Sequence, residues 1–424
     1  MANDVEQMLH IAMFPWLAFG HMIPFLEPAK LMAQKGHHIS FISTPRNIDR
    51  LPKLPLNLSP FISFIKLPLP HSHNLSQKAE VTKDLLVKKI SFLKNALDGL
   101  QVPITQFLQS SKPDWLLYDF VPYWLPNIVT NLRIPNAFFS IYIPACLTFV
   151  GSSLIPDDGK EPEDFTVPPK CYDVTVDNDV SDTHRFTKVL SSCDVVAVRG
   201  CMEFDFEWFQ LLEDIHRKPA LPVGLLPITP DMDDVDDNVN LKPVKEWLDM
   251  QHKASVVYVA FGSEAEVRQD ELNEIALGLE LSRVAIFLGA KVEILAHDSV
   301  GGFLTHGGWS SAVDALQFEK PLVLLTFFND QGLNAKLLEE KMIGYVIPRE
   351  ERDGLFTRES LAESVKLVVV KEEGQIYREK AKEMKPLFAD RKLQDNYVDN
   401  FLGYLKTHTR PKEEEEEDKK AVEI

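Results

Sequence analysis

Apolar positions along the chain fall into short runs separated by longer amphipathic stretches, a rhythm that predicts strands alternating with helices. Residues 8–14 form an apolar run closed by Pro15, as a buried strand would be. Over residues 24–35 the apolar side chains Phe25, Leu26, Ala29, Met32 and Ala33 repeat at helical spacing, and Gly36 is placed to end that helix. Pro28 fits such a helix only near its first turn, because proline lacks the N–H that later turns need. Further apolar runs at 38–43, 115–118, 137–142 and 195–198 predict strands. Strands separated by helical segments favour a parallel sheet covered by helices on both faces.

The rhythm breaks over 221–238, where Pro222, Pro227, Pro230 and five aspartates between Asp231 and Asp237 predict an exposed linker. It resumes with an apolar run at 256–261 followed by Gly262 and Ser263, then a helix over 270–281. Strands are expected at 284–288, 302–305, 322–327 and 345–347, with helices starting near Trp309 and Gly332 and two closing amphipathic helices at 360–370 and 376–385. The expected architecture is therefore α/β, with two doubly wound, Rossmann-like domains facing across a cleft. Residues 1–220 form the first domain, 221–243 the linker, 244–408 the second domain and 409–424 an acidic disordered tail. Such sheets bind ligands beyond the C-terminal ends of their strands, and two of them enclose a site between them.

Composition narrows the partners. The 424 residues carry 45 Lys plus Arg against 63 Asp plus Glu, a net charge of −18, which argues against a chain-wide basic surface for nucleic acid or anionic lipid. Cys146, Cys171, Cys193 and Cys201 are scattered, without a C-x-x-C pair or metal-ligand spacing. Reduced thiols in a cytoplasmic protein are the expectation. The start, MANDVEQ, lacks the basic residues of a secretory signal. The apolar stretch from Met8 is broken at Pro15 and Gly20, short of the roughly 20 residues a membrane span needs.

The segment from Gly301 to Gln331 is the richest in chemistry. A strand there runs into Thr305-His306-Gly307-Gly308-Trp309-Ser310-Ser311, where a helix begins. Free backbone N–H groups and the positive helix end at such a turn suit a pyrophosphate. His306 offers a ring N–H, Ser311 a hydroxyl, and Gly307 and Gly308 allow close approach. Ser263 offers a second hydroxyl from the end of another strand. Asp314, one turn further along the helix, is placed for ribose hydroxyls, and Asp330 with Gln331 for a sugar. No G-x-G-x-x-G, P-loop, H-E-x-x-H or G-x-S-x-G pattern is present.

The run EILAHDSVGGFLTHGGWSSAVDALQFEKPLVLLTFFNDQGLNA resembles the sugar-donor signature of plant secondary-product UDP-glycosyltransferases. FPWLAFGHMIPFLEPAKLMAQKGHHISFISTPRNIDRLP resembles the start of the same family's acceptor domain. The resemblance runs from about Leu9 to Tyr404 and is nearest to the branch that glycosylates glycosides, rhamnosyltransferases included. It implies the GT-B fold, a UDP-sugar co-substrate (glucose by preference), inversion at the anomeric carbon, no cofactor and no metal. It also implies a small hydrophobic or glycosylated acceptor; no nucleic-acid partner, no membrane span and a monomer are expected beside it. By resemblance His21 is the general base and Asp119 the acid that orients it. Ser263, His306 and Ser311 go to the phosphates, with Gly308 and Ser310 in the same turn. Trp309 lies where the family's tryptophan contacts the sugar, partly through its backbone. Asp314 stands in for a ribose-binding Glu, and Asp330 and Gln331 hold the sugar.

Three departures carry weight. Ser310 replaces the family's usual Asn. The family's Trp-x-Pro-Gln is replaced by Leu288, Gly289, Ala290 and Lys291, so the uracil-stacking aromatic is missing. Loss of such a stack costs on the order of 1–3 kcal/mol, or roughly five- to 150-fold in affinity. Finally, between the helix ending near Leu281 and Val292 there is room for one strand where the family has two. In the 3-2-1-4-5-6 strand order the third strand lies at an edge, so the expectation is a second sheet that lacks it, with the remaining strand in second position. A second shortening is expected after Pro169 and Lys170. A catalytically silent or impaired UDP-sugar-binding paralogue is the competing reading.

Overall fold

Residues 7–76, 78–152, 180–228, 242–262, 267–289, 292–328, 330–350, 352 and 354–410 are described by a computed structural model. Ser263, Ala290, Lys291, the aspartate-rich part of the linker, the segment after Pro169 and the acidic tail lie outside the described residues.

The first half builds seven strands: β1 (His10–Phe14), β2 (His38–Ser43), β3 (Ile62–Lys66), β4 (Trp115–Tyr118), β5 (Asn136–Ser140), β6 (Val195–Val198) and β7 (Ala220–Pro222). All pair in parallel, in the order β3-β2-β1-β4-β5-β6-β7. The central strands are apolar at nearly every position because both faces are covered. Ala12, Phe14, Leu116, Tyr118, Phe138 and Val196 point into one helical layer, and Ile11, Met13, Trp115, Leu117, Phe139 and Ala197 into the other. This is the two-residue alternation of a strand.

The first helix spans Phe19–Gln34, so it starts ahead of its apolar periodicity and holds both Pro24 and Pro28 in its interior. Each internal proline costs ~3 kcal/mol. Burial of Met22, Phe25, Leu26, Ala29 and Met32 returns roughly 1.5–3 kcal/mol for each large side chain, and packing wins. The earlier start places His21 in the helix's first turn.

The second half gives five parallel strands: β8 (Val256–Ala260), β9 (Ala285–Leu288), β10 (Val300–Thr305), β11 (Leu322–Leu324) and β12 (Gly344–Val346). Their order is β12-β11-β10-β8-β9, with β9 at the edge beside β8. Among the described residues no third strand lies outside β9, and β9 takes the second position, as expected from the sequence. Predicted strands at 137–142 and 322–327 are shorter in the fold, ending at Ser140 and Leu324, because sheet pairing stops there.

Strand β3 and the helices Ile90–Asp98, Gln101–Ser111 and Arg391–His408 were not apparent from the hydrophobic pattern. The last of these matters most. Its Val398, Phe401, Leu402 and Leu405 join the core of the first sheet. The Trp115 indole N–H donates to the Leu405 carbonyl at 2.9 Å and to Thr409 Oγ1 at 3.1 Å. The last helix, which belongs to the second domain by sequence, therefore packs with the first. Between the sheets, Ile143, Cys146, Cys201 and Phe204 of the first half share one core with Trp309 and Phe388 of the second.

Candidate active site

Every candidate side chain described sits beyond the C-terminal end of a parallel strand or in the helix that follows it. After β1 comes His21, and after β4 comes Asp119. The His21 Nδ1 lies 2.7 Å from Asp119 Oδ2, and both residues are buried, at 9% and 0% exposure. Backbone N–H groups hold the carboxylate in place: Trp16 donates to Oδ2 at 3.1 Å and Phe120 to Oδ1 at 2.8 Å. With Nδ1–H donating to the carboxylate, Nε2 is the basic nitrogen and faces away from Asp119. The Tyr142 hydroxyl lies 3.5 Å from that Nε2. Tyr142 and Phe120 flank the imidazole with ring centroids 5.6 and 6.0 Å away. Phe186 stacks on Phe120 at 4.2 Å, so the base opens onto an aromatic wall.

On the facing side, β10 runs into His306, and the helix Trp309–Leu316 starts from Gly308 with no side-chain cap. Its first N–H groups therefore remain available to an anion. His306 packs between two glycines. A Cβ on Gly262 would lie 2.9 Å from its Cε1, and one on Gly308 would lie 2.6 Å from its Nε2. Gly262 also has φ +73°, which favours glycine. Burial lowers the His306 pKa to about 4, so the ring is neutral at pH 7 and donates a single N–H. Ser310 and Ser311 are partly exposed in the first helical turn. The Trp309 side chain turns away, against Phe204 at 5.7 Å and Phe388 at 6.3 Å, which leaves its backbone at the turn.

Beyond β11, Asp330 stands at the start of the helix Gln331–Glu340 without a side-chain cap, and its Oδ2 accepts a hydrogen bond from Asn334 Nδ2 at 2.7 Å. Asn334 Nδ2 also donates to the Gly307 carbonyl at 3.0 Å, which ties this helix to the donor turn. Gln331 Oε1 accepts from the N–H groups of Phe327 and Phe328. Asp314 is 6% exposed, and burial pushes its carboxyl up to about 7 against the opposing pull of Arg199. Among the described residues no group of three His, Cys, Asp or Glu side chains is arranged to hold a metal.

One hydrogen bond and one electrostatic influence link the sheets' functional ends. Arg199, just after β6, donates to Ser310 Oγ at 2.6 Å. Glu27, on the His21 helix, bears electrostatically on both Arg199 and Asp314. Six residues separate His21 from Glu27, about 9 Å of helical rise. Sequence reasoning missed Arg199, Asn334 and Tyr142. Asn334 was detectable as the i+4 partner of Asp330, and Arg199 as the lone charge ending the apolar run Val195–Val198. Tyr142 carried no signal.

Residues 222–398 match a family model described as UDP-glucoronosyl and UDP-glucosyl transferase. The protein is 47% identical to UDP-glycosyltransferase 91A1 of Arabidopsis thaliana, over 94% of this chain and 97% of that one. It is 36% identical to soyasaponin III rhamnosyltransferase of Glycine max, over 96% and 97% of the two chains. Its fold is similar to that of Glycyrrhiza uralensis UGT73P12 complexed with glycyrrhetinic acid 3-O-monoglucuronide, with a TM-score of 0.79 at 19% identity over 95% of this chain and 96% of that one. Arabidopsis thaliana UGT89C1 complexed with quercetin gives a TM-score of 0.75 at 18% identity, over 94% and 100% of the two chains.

Proposed function

Because the chain belongs to the plant family 1 UDP-glycosyltransferases, with their GT-B fold, we propose that it moves glucose from UDP-glucose to a hydroxyl of a small plant metabolite or its glycoside, with inversion. The observation that carries this reading is the buried 2.7 Å pair of His21 and Asp119, beyond the C-terminal ends of β1 and β4.

A sugar or phenol hydroxyl is a weak nucleophile at neutral pH, so its proton must leave as its oxygen bonds to the anomeric carbon. His21 Nε2 takes that proton, and Asp119 stabilises the imidazolium that forms. The bond between the anomeric carbon and the β-phosphate oxygen breaks on the opposite side, and UDP departs with the electron pair. His306, Ser311 and the N–H groups opening the Trp309–Leu316 helix receive the charge that develops there. Asp314 faces the ribose, and Asp330 and Gln331 the sugar hydroxyls. Glucose is favoured over rhamnose by the resemblance of the Asp330-Gln331 pair. Both halves of the site come from one chain, which suits a monomer. The free, buried Cys146, Cys193 and Cys201 suit the cytoplasm. No helix among the described residues is long and apolar enough to cross a membrane.

Leu288 in the tryptophan position favours the second reading, a UDP-sugar-binding protein with impaired turnover. Calorimetric titration with UDP, followed by transfer assays from UDP-glucose and UDP-rhamnose to flavonoid and terpenoid glycosides, tests both. Turnover by the wild type is expected, with a loss of about 10²–10⁴-fold in His21→Ala and little change in UDP affinity. UDP binding without turnover selects the second reading, and a fully active His21→Ala removes His21 from the mechanism.

A further inference from the structure

Arg199 is 2% exposed, in a position where a guanidinium is costly to desolvate. Three bonds justify its burial. Nε donates to the Leu225 carbonyl at 2.7 Å, Nη2 to the Leu226 carbonyl at 3.1 Å, and Nη1 to Ser310 Oγ at 2.6 Å. Its own backbone is fixed to the first sheet, where Arg199 N–H donates to the Ser140 carbonyl at 2.9 Å. One side chain thus joins three parts of the molecule: the end of β6, the start of the interdomain connection and the first turn of the donor helix.

The connection is clamped from its other side too. Gln394 Oε1, on the C-terminal helix, accepts from Leu225 N–H at 2.6 Å and Leu226 N–H at 3.3 Å. Leu226 is held at φ +51°, a conformation a leucine adopts only under such restraint. The segment from which one domain would swing against the other is therefore gripped on its carbonyls by Arg199 and on its amides by Gln394.

We infer that Arg199 is a positioning residue for the UDP-sugar: it seats the donor turn against the acceptor domain and directs the Ser310 hydroxyl at the diphosphate. The chemistry follows from hydrogen-bond inventory. A serine hydroxyl has one hydrogen to donate and lone pairs to accept with. Arg199 occupies a lone pair, so the Ser310 hydrogen is left to point elsewhere, and the adjacent positive charge makes it a stronger donor to an anion. Burial lowers the Arg199 pKa to about 10, with Asp314 and Glu27 opposing that fall, so the side chain stays charged at neutral pH. Lysine cannot substitute, since a point charge cannot hold two carbonyls and a hydroxyl in the planar fork that guanidinium supplies.

This inference rests on the UDP-glycosyltransferase reading, and the wild-type UDP titration separates the two: a wild type that does not bind UDP overturns that reading itself. Given binding, Arg199→Lys, Ser310→Ala and the double variant are compared by UDP calorimetry, by UDP-sugar and acceptor kinetics, and by thermal melting. Each single variant is expected to weaken UDP binding and raise the UDP-sugar KM about tenfold, the scale of one charge-assisted hydrogen bond. The acceptor KM should stay near wild type, and the double variant should be no worse than the weaker single one. Additive effects, or variants that shift melting while leaving UDP affinity unchanged, overturn the inference. If Arg199→Lys does not fold, Ser310→Ala alone decides, because unchanged UDP affinity in that variant has the same consequence.

Discussion

Asp205 sits at the kink of the helix Met202–His216, 1% exposed, and neither carboxylate oxygen meets a hydrogen-bond partner. Burial raises its pKa to about 7 from the usual 3.8. The folded protein therefore binds a proton that the unfolded chain releases, and this stabilising contribution is complete below the unfolded pKa and lost as pH rises through about 7. Asp314 acts in the same direction. His306 and His216, both lowered to about 4, act oppositely: their contribution is present above the ordinary histidine pKa and lost as pH falls toward 4. The melting temperature should thus fall between about pH 6 and about pH 7, and Asp205→Asn should flatten part of that slope. An unchanged slope in calorimetric scans would mean that Asp205 is already ionised in the native state. At this scale the candidate residues were legible where they lie in contiguous motifs, as His21 does in one and His306, Asp330 and Gln331 do in another, while Asp119 lies outside both and meets His21 through the pairing of β1 with β4. Arg199 and Tyr142 were not legible, since what they touch is fixed by sheet order and not by neighbours in sequence.

Among the elements, the central strands were the easiest to read, because burial on both faces writes a continuous apolar run. Strand β3 was not, since Ile62–Lys66 is half exposed and its composition is mixed. Helix ends were misjudged where no capping side chain marks them, as at Ala18 before the first helix. The edge strand β9 is the element with the clearest liability. It pairs with β8 on one side only, and Leu288 at its end is 68% exposed. An open apolar edge invites pairing with other chains, and lysine at such an edge discourages it. Leu288→Lys is expected to reduce concentration-dependent aggregation in light scattering while changing folding stability by no more than about 0.5 kcal/mol. Equal aggregation would show that β9 is not the sticky surface.

For the whole molecule, order along the chain and order in space diverge at the C-terminus. The helix Arg391–His408, not expected from the sequence, buries Tyr397, Val398, Phe401, Leu402 and Leu405 along one stripe. Nothing local tells that the stripe packs on a strand some 290 residues earlier. Trp115→Phe removes the N–H that reaches Leu405 and Thr409 while keeping an aromatic in the core. At about 1–3 kcal/mol for buried carbonyl and hydroxyl groups left short of a donor, melting should fall by several degrees. Unaltered melting would show that this seam carries little of the stability.

That seam also sets a schedule for biosynthesis. The strands of the first sheet are all made by Pro222, but the apolar face that receives Val398, Phe401, Leu402 and Leu405 stays uncovered until the final helix leaves the ribosome. At roughly 5–20 residues per second, the wait lasts on the order of 10–40 s. The oldest part of the nascent chain thus stays unfinished until residues 391–408 are made, a window in which chaperone capture would be most useful.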